Sequence, residues 1–383
     1  MFQWPKTGLT LALLFCLTVQ GFTAQGQFLV PERRRLFENR QENVYMVIPA
    51  VASLPGLGVF AGVLGSFSNI MGTGVDAAVT EARTFSGSSD IRVSAYALRE
   101  VPLFVPGLTV EYWFGDIQFT DYFSYLPGRD SPNYLIPYTG KFKYYFFSPS
   151  YRLWERRIEI NYNLVFFKGY SIDSSGQDTL QGAHSANGRL TLDLTDDWVD
   201  PAKGVRLSYS TSLTAPHSSP LGTDSSSSSA LRSDLQTKSY HAGFYLPVYD
   251  RTTLALYQEL SETWGKDAGN AQGFGGEARL RGYPAGRWTD RFAQTGIAEV
   301  RYTLPYNFEI ESLLVHGHLD GVQLAAFAEQ GQVSPTRDSS LWSNQHQSFG
   351  VGARLLIDAI ILRLDLATAD EGPQTHLTIN HAF

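Results

Sequence analysis

The stretch RRIEINYNLVFF, residues 156–167, constrains the fold more than any other feature of this chain. Successive side chains of a strand point to opposite faces, so Ile158, Ile160, Tyr162, Leu164 and Phe166 share one face. Arg157, Glu159, Asn161 and Asn163 share the other. AIILRLDLAT, residues 359–368, repeats the arrangement, with Ile360, Leu362, Leu364 and Leu366 set against Arg363 and Asp365. A soluble sandwich alternates too, with its apolar face inward, so the period alone leaves both readings open.

Connection lengths separate them. Sixteen candidate strands fill 42–50, 56–70, 73–85, 90–99, 107–117, 140–148, 155–167, 187–195, 204–213, 235–248, 251–262, 292–305, 320–329, 348–357, 359–368 and 375–383. Long connections (118–139, 168–186, 214–234, 263–291, 330–347) alternate with short turns such as 71–72, 249–250 and Asp358; 306–319 is the exception. Long loops on one side and short turns on the other, with an even strand number, are the pattern of a transmembrane antiparallel β-barrel. Its outer face meets lipid, where a charge in mid-strand costs about 2–4 kcal/mol, so Arg363 and Asp365 are assigned to the lumen. The composition agrees: 13% aromatic, 17% charged, with aromatic runs near strand ends such as YYFF at 144–147.

Residues 1–26 read as a cleaved signal peptide, with Lys6 ahead of the apolar run LTLALLFCLTV. Residues 27–41 read as a short periplasmic segment and 42–383 as the barrel. Cys16, the only cysteine, falls in the leader, so the mature chain would have neither disulfide nor thiolate metal site. The net charge of −7 argues against nucleic acid as a partner, and membrane lipid takes that place. No G-x-S-x-G, H-E-x-x-H or P-loop is present, so neither an enzyme nor a cofactor is expected. Two constellations hold a remote place for chemistry. His316 and His318 form an H-G-H pair, and Ser239 and His241 share a strand face.

Residues 275–304, GGEARLRGYPAGRWTDRFAQTGIAEVRYTL, resemble the most diagnostic stretch of the bacterial surface antigen barrels. These include the outer-membrane protein assembly factor and the two-partner-secretion transporters. Arg281, Gly282 and Tyr283 match the family's Arg-Gly-aromatic motif. Glu299 in AEVRYTLP and Glu329 in AAFAEQGQV match its acidic strand positions, and LTLDLTDDWVDPAKGVRLSYS matches an upstream strand–turn–strand. The resemblance implies a sixteen-stranded barrel with a long extracellular loop folded into its lumen. There a permanently charged Arg281 needs a carboxylate, and Glu299 and Glu329 are the candidates. Gly282 would allow a tight turn, and Tyr283 would pack on the wall.

It implies also that the last strand, THLTINHAF with Phe383, is read by the outer-membrane assembly machinery. That strand is expected to pair with 42–50 across a weak seam, with His381 and Phe383 on its lipid face. The chain departs from the family in leaving only 27–41 ahead of the barrel, too few for a polypeptide-transport-associated (POTRA) domain. A separate periplasmic or surface protein would then be its partner. The function implied is insertion or transport of polypeptide, or of lipid; the alternative is a passive or structural barrel.

Overall fold

The computed structural model describes residues 42–54, 58–86, 90–132, 136–154, 156–172, 178–220, 235–265, 272–358, 360–379 and 381–383. The expected signal peptide (1–26), residues 27–41 and most of the serine-rich connection therefore lie outside the described residues.

The fold is an all-β, closed antiparallel barrel. Its strands are β1 (Val44–Leu54), β2 (Gly58–Ser68), β3 (Asp76–Ser86), β4 (Asp90–Pro102), β5 (Leu108–Ser124), β6 (Ile136–Leu153), β7 (Ile158–Ile172), β8 (Asp178–Asp193), β9 (Gly204–Pro220) and β10 (Leu235–Tyr249). After β11 (Thr252–Gly265) come β12 (Gln272–Phe274), β13 (Trp288–Asp290), β14 (Phe292–Leu304), β15 (Phe308–Glu311), β16 (Val315–Ser334), β17 (His346–Ile357), β18 (Ile360–Ala369) and β19 (Gly372–Ile379). Seventeen strands form one sheet, and β12 and β13 pair only with each other. Sequence neighbours pair in turn from β1 to β11, then β11 with β14, β14 with β16, and onward to β19.

Alternation sets the two faces. Ile160, Tyr162, Phe166, Leu364 and Leu366 lie exposed on the outside. Arg363 and Asp365, one residue out of phase, are buried. On the inner face of β6 and β7, Asn161 donates to Ser148 and Ser150 at 2.7 and 2.5 Å. The outer aromatic and aliphatic cover is far larger than a soluble monomer leaves in water.

Three expectations are corrected. The strands run past the expected loop boundaries: β5 reaches Ser124, β6 starts at Ile136, and β7 and β8 leave only 173–177 between them. Beyond the lipid belt the outer face need not be apolar, so the ladder continues where the alternation fades. The segment 306–319 is not wholly a loop, because β15 folds back on β16 from Phe308↔Leu319 to Glu311↔His316.

The third correction concerns the closing strands. The ladder of β19 stops at Ile379, and among the described residues no ladder joins β19 to β1, although the two approach each other. β1 pairs instead with the first residues of β16, Tyr45↔His316 and Met46↔Val315. The Val47 amide donates to the Leu314 carbonyl at 2.7 Å. Buried Met46 packs with Leu319, Ile357 and Ile360 beneath this junction, so apolar burial compensates for the short ladder.

Candidate functional site

The connection between β12 and β13 is folded rather than extended. The pairs Gln272↔Asp290, Gly273↔Thr289 and Phe274↔Trp288 form its base. The Gly276 amide donates to the Tyr283 carbonyl at 2.8 Å, and the Tyr283 amide to the Leu280 carbonyl at 2.9 Å. Leu280 takes a left-handed conformation, φ 49°, rare for a branched residue and sustained only where packing holds it. The packing is a cluster of Phe274, Leu280, Tyr283, Trp288, Ala293 and Val333. Tyr283 meets Trp288 and His346 edge-on, each at 5.8 Å between ring centroids.

With Leu280 turned into that cluster, Arg281 points the other way and is completely buried. Its Nε lies 2.8 Å from Glu329 Oε1, its Nη2 3.0 Å from Glu299 Oε2 and its Nη1 2.6 Å from Asp365 Oδ2. Its amide donates to Glu329 Oε2 at 2.5 Å, and its guanidinium lies 3.3 Å from the Phe327 ring centroid. One planar fork thus reaches three strands, β14, β16 and β18, which a lysine's single ammonium has no geometry to do. Burial opposes the charge, but Glu329, Glu299 and Asp365 outweigh it and hold the pKa above an arginine's ordinary value.

Glu299 and Glu329, the partners expected from the resemblance, both reach Arg281. The structure adds Asp365, whose signal was a lone carboxylate beside Arg363 on the inner face of β18. The intervening strand makes room: a Cβ at Gly352 would sit 2.0 Å from Asp365 Oδ1. At Gly282 a Cβ would sit 2.6 Å from the Thr368 carbonyl oxygen, so only glycine lets the motif lie on β18. The Gly282 amide donates to Ser348 Oγ at 3.0 Å, which donates in turn to Glu329 at 2.8 Å.

The carboxylates are shared among further arginines. Arg301 Nε and Arg354 Nη2 reach Glu299 at 2.8 and 3.1 Å, and Arg354 and Arg363 reach Asp365 at 3.2 and 3.5 Å. Buried ions cost several kcal/mol each unless paired, which explains why acids and bases alternate here. Two more anchors carry no motif of their own. Arg279 Nε binds Glu259 of β11 at 2.9 Å, and Arg287 Nε binds Glu371 at 2.7 Å while its Nη1 donates to Ser131 at 2.9 Å. Glu277, on the same connection, has its carboxyl pushed up to about 7 by burial.

Phe383 lies elsewhere, stacked on Tyr257 of β11 at 5.0 Å, and His381 Nε2 is 2.7 Å from Asp200 Oδ1. Both point inward rather than to the lipid face. The two remote chemical constellations are used structurally. His241 Nδ1 is hydrogen-bonded to Tyr257 at 2.6 Å, whereas Ser239 accepts from Ser261 at 2.9 Å. His316 stacks on Tyr45, and among the described residues no three ligating side chains gather as a metal would need. The arrangement is built to fasten a chain segment.

The chain matches no protein-family profile and no curated protein. Solved structures do match. BamA from Haemophilus ducreyi lacking POTRA domains 1–3 aligns at TM-score 0.51 and 12% identity over 95% of this chain and 77% of that one. CdiB from Escherichia coli aligns at 0.58 and 16% over 89% of this chain and 62% of its own. The chain has the BamA and CdiB barrel fold. CdiB from Acinetobacter baumannii, at 0.54 and 12%, agrees, with 60% of that chain covered. The chain therefore spans about three fifths of each CdiB chain.

Proposed function

We propose that this chain is an outer-membrane barrel of the surface antigen superfamily, acting in the insertion or transport of polypeptide, or of lipid, at that membrane. In this reading residues 1–26 are its leader, 27–41 a short periplasmic segment and 42–383 the barrel. Sixteen strands make the wall; β15 is a rim flap, and β12–β13 belong to an extracellular loop. That loop, 275–287, lies in the lumen, where Arg281, Gly282 and Tyr283 with Glu299 and Glu329 pin it. Its partners are outer-membrane lipid, the assembly machinery that reads Phe383 during biogenesis, and a separate periplasmic or surface protein.

The observation that carries the reading is the seam. A barrel meant only to persist would close on a full ladder, whereas among the described residues the seam edge of β1, opposite β2, is held by two residue pairs at one end. Unpaired edges are what an incoming strand can extend. The fold likeness to BamA and CdiB supports the same conclusion. The passive alternative is favoured by the fastening of the loop through Arg279, Arg281 and Arg287.

A reversible lock decides between them. Tyr45→Cys with His316→Cys would join the paired positions by a disulfide. If the oxidised barrel fails to complement a deletion strain and reduction restores it, opening at the seam is required. Full complementation by the locked barrel would overturn insertion through the seam and leave the passive reading.

A further inference from the structure

The short-turn end of the barrel is crossed from within. The connection between β8 and β9, residues 194–203, does not hang free of the rim. Trp198 and Val199 pack on Leu356 of β17 and Ile361 of β18, strands on the far side of the ring. Asp200 carries the turn to two more strands: Gln323 Nε2 of β16 is 3.4 Å from its carboxylate, and Arg301 Nη1 of β14 is 4.0 Å away. The turn is stiff. Asp197 Oδ1 accepts from the amides of Val199 and Asp200 at 2.7 and 2.9 Å, and Asp196 Oδ1 accepts from those of Ala202 and Lys203 at 3.0 and 2.9 Å.

Residues 381–383 come from the end of β19 to the same place. His381 Nε2 meets Asp200 Oδ1 at 2.7 Å. The Phe383 ring stacks on Tyr257, and the Arg301 guanidinium lies 5.2 Å from its centroid. Tyr257 is itself fixed, donating to Glu259 at 3.1 Å. Two segments from different parts of the ring thus meet at one carboxylate, on strand faces that look into the barrel.

We propose that 194–203 and 381–383 form a clasp that closes the lumen at its short-turn mouth, built from segments other than the Arg281 loop and touching its cluster through Arg301. Whatever passes through the barrel must part His381 from Asp200 and Phe383 from Tyr257. The inference concerns access to the lumen and holds whether the cargo is polypeptide, lipid or none.

A cysteine reporter tests it. Ser210 lies on the inner face of β9, between exposed Leu207 and Tyr209 on the outside and Leu213 beyond. In a Cys16→Ser background, Ser210→Cys in the folded full-length barrel is reacted with a charged, membrane-impermeant maleimide in micelles. Asp200→Ala is expected to raise the rate by about tenfold or more, the scale of one lost charge-assisted hydrogen bond, and Tyr257→Ala by about threefold or more, the scale of a lost aromatic pair. Asp200→Asn, which keeps the shape, is expected to raise it less. Arg281→Ala reports entry from the other end. If Asp200→Ala and Tyr257→Ala both react at the parent rate in folded barrels, while Arg281→Ala reacts faster, the clasp is not a barrier and the proposal is overturned.

Discussion

Replacing Arg281 by alanine removes the centre of the carboxylate cluster, and the consequence follows from what each carboxylate has left. Glu299 keeps Arg301 and Arg354 at 2.8 and 3.1 Å. Asp365 keeps Arg354 and Arg363 at 3.2 and 3.5 Å. Glu329 keeps only the Ser348 hydroxyl and the backbone amide of residue 281. The loss therefore falls on Glu329, a buried carboxylate without a cation, at a cost of about 3–5 kcal/mol. With roughly 2–4 °C per kcal/mol in a large domain, the melting temperature of the folded barrel should fall by about 6 °C or more. Heat-dependent gel migration, in which a folded barrel runs more compactly than its denatured chain, measures it. The diagnostic step is Glu329→Gln in the Arg281→Ala background. That change removes the stranded charge, so it should recover part of the loss, although in the parent it is itself destabilising. A melting temperature unchanged in Arg281→Ala, or a further fall in the double variant, would refute the reasoning.

Other perturbations are more local. Gly282→Ala forces a methyl into the Thr368 carbonyl and Ala369, so it should cost about 1–3 kcal/mol and release the motif from β18, seen as faster hydrogen exchange over 275–287. Arg279→Ala should cost less than Arg281→Ala in the same melting assay, since Arg279 is partly exposed and binds one carboxylate, whereas Arg281 is fully buried and binds three. Glu277 gives a pH dependence of known sign. Its folded pKa of about 7 exceeds the ordinary carboxyl value, so the folded barrel binds the extra proton and stability declines as pH rises through that interval. Glu277→Gln should flatten the melting temperature between pH 5.5 and pH 8, and a slope unchanged by the substitution would remove Glu277 as its source. Phe383→Ala should lower the yield of folded barrel in cells, whereas Tyr257→Ala should leave yield near normal; equal losses would tie the yield to the inward stack rather than to recognition during assembly.

Much of the wall was legible because lipid and lumen impose opposite demands on neighbouring residues. Ile160 beside Asn161, or Leu364 beside Asp365, leaves little freedom in how a strand faces. Asp365 was legible as luminal for the same reason, whereas Glu299 and Glu329 were singled out through the family resemblance. Their grouping was harder. Glu299 and Glu329 follow the motif by 18 and 48 residues, but Asp365 comes 84 residues after Arg281 and is brought near by the successive pairing of β16, β17 and β18. Arg279 and Glu259 carried no signal, because a charged pair between a loop and a strand has no fixed spacing. β15 was illegible at four residues, too short for a period to register. His381 and Phe383 misled because alternation continues through the letters after the ladder has stopped.

The arginines of the 275–287 segment divide the barrel mechanically. Among the described residues, their ion pairs with wall strands all fall on β11, β14, β16 and β18. Those strands are cross-braced through the interior as well as along their edges. From β2 to β10 the described wall strands have no ion pair with this segment; they rely on their ladders, on local pairs such as Arg152 with Glu100 and Glu159, and on the β8–β9 turn that reaches across to β17 and β18. A barrel built this way does not deform evenly. Strain is resisted most on the β14–β18 side, next to β19, and least on the side that begins at β1 and β2. Among the described residues, the shortest ladder on the wall, Tyr45↔His316 and Met46↔Val315, lies beside that cross-braced side.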